Sequence, residues 1–112
     1  MVKVIAEALE SDHGHSVVGL RARLETLVDD GWELLAERST DGTGRIEEWG
    51  EALAHKGLYR IVFDIDRYFA GLGTTPGYPE VSATFRASEE GVGHRLSLTF
   101  SPHHYAAVFT SE

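Results

Sequence analysis

The run Leu58-Tyr59-Arg60-Ile61-Val62-Phe63-Asp64 decides the reading of this chain, with Tyr68-Phe69, Tyr78-Pro79-Glu80-Val81 and Thr84-Phe85-Arg86 behind it. Tyr59, Ile61, Phe63 and Ile65 recur at every second position. That is the period of a strand with one apolar face. Val81, Ala83 and Phe85 repeat the pattern. Between the two runs the spacing changes. Asp66 is placed to cap a short helix, Tyr68, Phe69 and Leu72 give it an apolar side, and Gly73 is placed to end it. The helix spans about two turns and is an accessory to strands.

Outward from this segment the same period dominates. Val2, Val4, Ala6 and Ala8 alternate with Lys3, Ile5, Glu7 and Leu9. Val18, Leu20, Ala22 and Leu24 share a face, and Trp32, Leu34 and Ala36 continue the pattern after the Asp29-Asp30-Gly31 turn. Leu96, Leu98 and Phe100 form another row, as do Tyr105, Ala107 and Phe109. Asp41-Gly42, Gly44 and Glu89-Glu90-Gly91-Val92-Gly93 are turn signals between runs. Short alternating strands separated by turns predict an all-β sandwich of seven to eight strands with one short helix, as a single domain over residues 1–112.

Composition narrows the function. Ten Lys and Arg against 18 Asp and Glu give a formal net charge of −8, and no local basic cluster offsets it. Phosphate binding needs a basic face, so nucleic acid is not an expected partner. The absence of cysteine excludes disulfides, thiolate metal sites and a cysteine nucleophile. Met1-Val2-Lys3-Val4 opens no apolar run long enough for a signal peptide or membrane span, so the expectation is a soluble cytoplasmic protein without membrane contact.

Leu58 to Asp64 with Tyr68-Phe69 resembles the central strand and short helix of one family. Tyr78 to Val81 with Thr84 to Arg86 resembles its next strand, and Ser101-Pro102 with Tyr105 its last corner. The chain is similar to transthyretin and its bacterial relatives, the 5-hydroxyisourate hydrolases, from about Val2 to Ser111, with an enlarged first loop around Glu10 to Ser16. The resemblance implies a transthyretin-like fold and a homotetramer, a dimer of dimers with a central channel. In that channel transthyretin holds thyroid hormone and the hydrolases open the ring of 5-hydroxyisourate.

Strand parity gives the outward rows without the family. With Leu96, Leu98 and Phe100 inward, Arg95, Ser97 and Thr99 point out. With Tyr105, Ala107 and Phe109 inward, Ala106, Val108 and Thr110 point out. With Val2 and Val4 inward, Lys3, Ile5 and Glu7 point out. Taken alone, these are ordinary solvated residues on strand faces. The resemblance implies that they line the channel, with Arg45 at its mouth. Small, aliphatic and hydroxyl groups beside two guanidiniums, an ammonium and a carboxylate suit a small cyclic ligand with an acidic or carbonyl group.

The resemblance also shows what has changed. The hydrolases begin their first strand with histidine; here Lys3 stands there, as in transthyretin. Their arginine after a turn is kept as Arg45. Their second histidine aligns with Arg95, although His94 is its neighbour. Their closing Tyr-Arg-Gly-Ser reads Val108-Phe109-Thr110-Ser111. Imidazole is the usual base near neutral pH, and arginine holds a developing anion. With both histidines replaced, the remaining bases are Lys3, Glu7 and His104, which parity groups with Ala106 and Val108. His13 and His15 beside Asp12 form a His-x-His loop, read as polar rather than as a metal site. No cofactor is expected.

Three functions follow. The first is a divergent relative of 5-hydroxyisourate hydrolase that opens, closes or isomerises a small cyclic, anionic or carbonyl-bearing substrate, in a setting such as specialised metabolism. Its catalytic residues are Lys3, Arg45, Arg95 and His104, with Ile5, Glu7, Ser97, Thr99, Ala106, Val108 and Thr110 binding substrate. The second is a non-catalytic transthyretin-like binding protein. The third is a true 5-hydroxyisourate hydrolase of purine catabolism with an altered base.

Overall fold

Alternating residues bury one face of the central strands and leave the other to solvent, and two such sheets pack on each other here. A computed structural model describes residues 3–50, 56–87 and 93–111. Val2 and the predicted turn at Glu89-Glu90-Gly91-Val92 lie outside these residues. The described elements are β1 (Lys3–Glu10), β2 (His15–Ser16), β3 (Arg21–Val28), β4 (Gly31–Ser39), β5 (Arg45–Ile46), β6 (Gly57–Asp64), α1 (Ile65–Ala70), β7 (Glu80–Ala87), β8 (Gly93–Phe100) and β9 (Tyr105–Ser111).

One sheet runs β2-β1-β8-β9, with β5 also on β1, and the other runs β4-β3-β6-β7. The central pair β1 and β8 is parallel, in register from Lys3 opposite Gly93 to Glu10 opposite Phe100. Val4, Ala6 and Ala8 of β1 and Leu96, Leu98 and Phe100 of β8 are buried on the inner face. They meet Ala22, Leu24, Tyr59, Ile61, Phe63, Val81 and Phe85 of the other sheet in one core. Phe63 and Phe100 are fully buried, and Phe100 meets Tyr68 and Phe69 edge-on. Truncating either phenylalanine to alanine costs about 3–5 kcal/mol. The inward rows predicted for β1, β6, β7 and β8 are those observed.

Four local expectations are corrected. Asp64, not Asp66, caps α1: its Oδ1 accepts from the backbone N–H of Arg67 at 3.1 Å, and the cap at the other end is Gly71. The helix is therefore displaced two residues toward the N-terminus, and Leu72, beyond its end, is exposed. Trp32 and Leu34 do not share a face with Ala36. The register skips between Leu24–Ala36 and Glu25–Leu34, so a bulge at Leu35 reverses the parity. Trp32 then lies on the outer face under the Arg60 guanidinium, 4.4 Å from its ring centre. Val18 precedes β3 and is exposed. In β9, Tyr105 and Phe109 do lean inward, onto Tyr78 and onto Phe85 and His94, but they sit on an edge strand. They remain 51% and 39% exposed because no further described strand lies beyond β9.

The corner before β9 is fixed by the buried Ser101 and the half-buried Tyr78. The Tyr78 hydroxyl donates to the Ser101 and His104 carbonyls at 2.6 and 3.1 Å. Burial, with Tyr105 alongside, pushes the Tyr78 phenol up to about 12. Ser101 Oγ accepts from the backbone N–H groups of His103 and His104.

Candidate functional site

The outer face of β1, β8 and β9 collects most of the chemistry. Parallel pairing sets Ile5 opposite Arg95 and Glu7 opposite Ser97. Antiparallel pairing sets Thr99 opposite Ala106, Ser97 opposite Val108 and Arg95 opposite Thr110. Val4, Ala6, His94, Leu96 and Leu98 alternate with these residues and are buried, so the outward parity of Lys3, Ile5, Glu7, Arg95, Ser97 and Thr99 is as expected.

Arg45 reaches this face by a separate device. The Asp41 Oδ1 accepts from the Thr43 backbone N–H at 2.8 Å, from the Thr43 hydroxyl at 2.6 Å and from the Arg45 backbone N–H at 3.2 Å. The Thr43 hydroxyl and backbone N–H, then that of Arg45, hold the Asp41 carboxyl below its usual range. Gly44 then turns with φ of +79°, its carbonyl accepting from Ala8 N–H at 2.9 Å. A side chain at Gly44 would lie 2.9 Å from the Ser16 Cβ and 3.1 Å from the Ala8 carbonyl oxygen. Glycine alone fits that conformation and that approach. The result is β5, with Arg45 opposite Glu7 and Ile46 buried opposite Ala6.

Glu7 is the hub. Its Oε1 accepts from Ser97 Oγ at 2.7 Å and stands 3.6 Å from an Arg95 Nη. Its Oε2 stands 3.3 Å from Arg45 Nε. Two shallow hollows flank this network. One, of about 250 Å³, is lined by Glu7, Arg45, Ser97 and Thr99 together with Ser16, Thr43 and Gly44. The other, of about 140 Å³, is lined by Lys3, Ile5, Gly93, His94 and Arg95. Two guanidiniums and a carboxylate on a face of small and hydroxyl side chains can polarise a carbonyl, hold a developing oxyanion and accept a proton.

The remaining candidates fall elsewhere. His104 lies in the turn before β9, exposed, with its carbonyl engaged by the Tyr78 hydroxyl and by Ser101 N–H. It is not among the residues lining either hollow. His94 turns to the core: it is buried, stacks on Phe109 and has its Nδ1 3.0 Å from Ser111 Oγ. Desolvation lowers its pKa. In the first loop His13 Nδ1 meets Glu10 Oε2 at 2.8 Å, and the His13 and His15 rings stack at 5.6 Å. The described residues contain no group of three or more His, Cys, Asp or Glu placed to hold a metal ion. No described helix is long and apolar enough to cross a membrane.

Sequence reasoning did not anticipate that Glu7 binds both arginines. The signal was present only as parity; the contact needs the β1–β8 register, which joins residues 90 positions apart. Nor did it assign Asp41 the placing of Arg45, although Asp-x-Thr-x-Arg is the sequence of such a turn.

Comparison with known proteins agrees with this architecture. The HIUase/Transthyretin family model matches residues 4–108. The 5-hydroxyisourate hydrolase of Salmonella typhimurium is 30% identical over 99 residues, covering 88% of this chain and 73% of the relative. A probable 5-hydroxyisourate hydrolase of Caenorhabditis elegans is 24% identical over 105 residues, covering 92% of this chain and 76% of the relative. Transthyretin from Sparus aurata superposes with a TM-score of 0.89 at 25% identity, covering 100% of this chain and 99% of that one. Sea bream transthyretin in complex with thyroxine gives 0.88 at 26% identity, covering 97% and 95%. The chain belongs to the HIUase/Transthyretin family.

Proposed function

We propose that this protein is an enzyme that opens, closes or isomerises a small cyclic, carbonyl-bearing substrate on the outer face of β1, β8 and β9. One observation carries the reading: Arg45 and Arg95 converge on a single carboxylate, Glu7, beside open hollows. For ring opening, Glu7 takes a proton from water and the hydroxide adds to the ring carbonyl carbon. The oxyanion faces Arg45 and Arg95. As it collapses the ring C–N bond breaks, and the departing nitrogen takes the proton back from Glu7. Ring closure is the same path reversed. Lys3, in the second hollow with Ile5 and Arg95, holds a further acceptor of the substrate. Ser97, Thr99, Ala106, Val108 and Thr110 shape the floor.

The site works in a homotetramer, a dimer of dimers. The support is β9. Its seven residues, Tyr-Ala-Ala-Val-Phe-Thr-Ser, are all exposed and carry no charge. Val108 is 59% exposed at the middle of the strand. An unguarded apolar edge strand of this kind invites covering by another chain.

Freshly made 5-hydroxyisourate and hydantoin, followed by absorbance, test the reading. Turnover of either above the spontaneous rate, lost at least tenfold in Arg95→Ala, supports it. Acceleration of 5-hydroxyisourate decay at the level of a dedicated catalyst identifies a hydrolase of purine catabolism with Glu7 in place of histidine. A second reading is a non-catalytic binding protein, favoured by the likeness to a thyroxine complex. It is the outcome if Arg95→Ala weakens binding while neither ring is turned over. A monomer in sedimentation at micromolar concentration contradicts the tetramer.

A further inference from the structure

We infer that Glu7 sets the specificity of this site: its carboxylate is a built-in occupant of the Arg45–Arg95 pair and directs the site toward neutral ligands with adjoining carbonyl and N–H groups, against carboxylates. The inference rests on the reading that this face binds a small molecule, and it narrows the ligand from anionic or carbonyl-bearing to the second kind.

Two guanidiniums on an open sheet face would otherwise be a receptor for any preformed anion. Glu7 already occupies the space between them, at 3.3 Å from Arg45 Nε and 3.6 Å from an Arg95 Nη. The Ser97 hydroxyl anchors the same carboxylate at 2.7 Å, across two strands held in register. Rotating Glu7 out of the way therefore gives up two ion pairs and a hydrogen bond. A carboxylate ligand has two ways in: it displaces Glu7, or it settles beside a like charge. Both weaken it.

A neutral amide edge meets no such conflict. The guanidiniums stand beyond the usual N–H···O hydrogen-bond length, so their N–H groups retain capacity for a ligand carbonyl. A carboxylate offers about four acceptor positions, and a ligand N–H can take one that Ser97 leaves open. Carbonyl and N–H side by side then match guanidinium and carboxylate side by side. Charge complementarity of this type discriminates against the wrong partner more than it adds affinity for the right one.

Benzamide and benzoate are planar, nearly isosteric probes of this choice. Each is titrated into the full-length protein by NMR, for wild type, Glu7→Gln and Glu7→Ala. Glutamine keeps an acceptor for the Ser97 hydroxyl, removes the charge and replaces the other oxygen with an NH2 donor, which Glu7→Ala lacks. Thermal melts of both variants check that the fold is kept. Wild type is expected to prefer benzamide. Glu7→Gln should bind benzoate about tenfold more tightly than wild type does, the scale of one or two ion pairs of this exposure, and so should Glu7→Ala. Adding Arg45→Ala to Glu7→Gln should remove the gain. Failure of both Glu7 variants to gain benzoate affinity, including no binding at all, overturns the inference, as does wild-type preference for benzoate. Because this readout is a binding ratio without turnover, a catalytically silent protein still answers it, and an active enzyme with unchanged benzoate affinity refutes only the role of Glu7.

Discussion

Ser97 donates its hydroxyl hydrogen to Glu7 across the parallel β1–β8 pair, at 2.7 Å, and so fixes the carboxylate that both Arg45 and Arg95 face. The two residues are 90 positions apart in sequence. Register makes them neighbours, and the chemistry of the face depends on that register.

Ser97→Ala removes this anchor while leaving both arginines in place. The bond is partly buried, so its loss should lower stability by about 0.5–1.5 kcal/mol, read from the urea midpoint at unchanged slope. Ligand affinity should fall less than in Arg95→Ala. A Ser97→Ala protein that matches wild type in both respects separates Glu7 from its supposed anchor.

Gly44→Ala tests how Arg45 is placed. The residue has φ of +79°, and an added Cβ would meet Ser16 Cβ at 2.9 Å. Strain of about 1–3 kcal/mol is expected. Because β5 is only two residues long, the strain should displace Arg45. The expected outcome is a loss of ligand affinity approaching that of Arg45→Ala, alongside a lower melting temperature. Unchanged affinity and stability would show that the turn tolerates a side chain.

His94 gives the fold an acid-side sensitivity. Desolvation lowers its pKa from 6.5, so the folded protein holds the imidazole neutral where the unfolded chain protonates it. A depressed pKa of this sign means stability that is present above the unfolded value and declines as pH falls through about 6.5 and below. Urea midpoints between pH 7.5 and 5 should fall for wild type. His94→Asn, less stable at pH 7.5, should show a flatter profile. Equal slopes would assign the decline to other groups.

Much of the fold was legible in alternation. Tyr59, Ile61, Phe63 and Ile65 read as one buried face and are one. What alternation could not show was where it breaks. A bulge at Leu35 costs one residue of register and sends Trp32 and Leu34 outward, and no local residue announces it. Asp66 was the natural cap by composition, yet Asp64, the last residue of β6, lies where its carboxylate can reach the free N–H of Arg67. For the site, parity alone oriented Lys3, Ile5, Glu7, Arg95 and Ser97 correctly. It could not foresee that one carboxylate would draw two arginines together, because that is a property of strand pairing and of the Asp41 turn. His104 shows the converse. Parity extended one residue beyond the strand it described, into a corner ordered by Tyr78 and Ser101.

The proposed function requires small molecules to bind on the outer face of β1, β8 and β9, at Glu7, Arg45, Arg95 and Ser97. Chemical-shift mapping with hydantoin, a cyclic ligand bearing carbonyl and N–H groups, is the decisive test. Saturable shifts centred on Glu7, Arg45, Arg95 and Ser97, and lost in Arg45→Ala, are the predicted result. Shifts centred on another surface, such as the outer face of β3 and β6 around Glu25 and Arg60, or none at millimolar hydantoin, would contradict it.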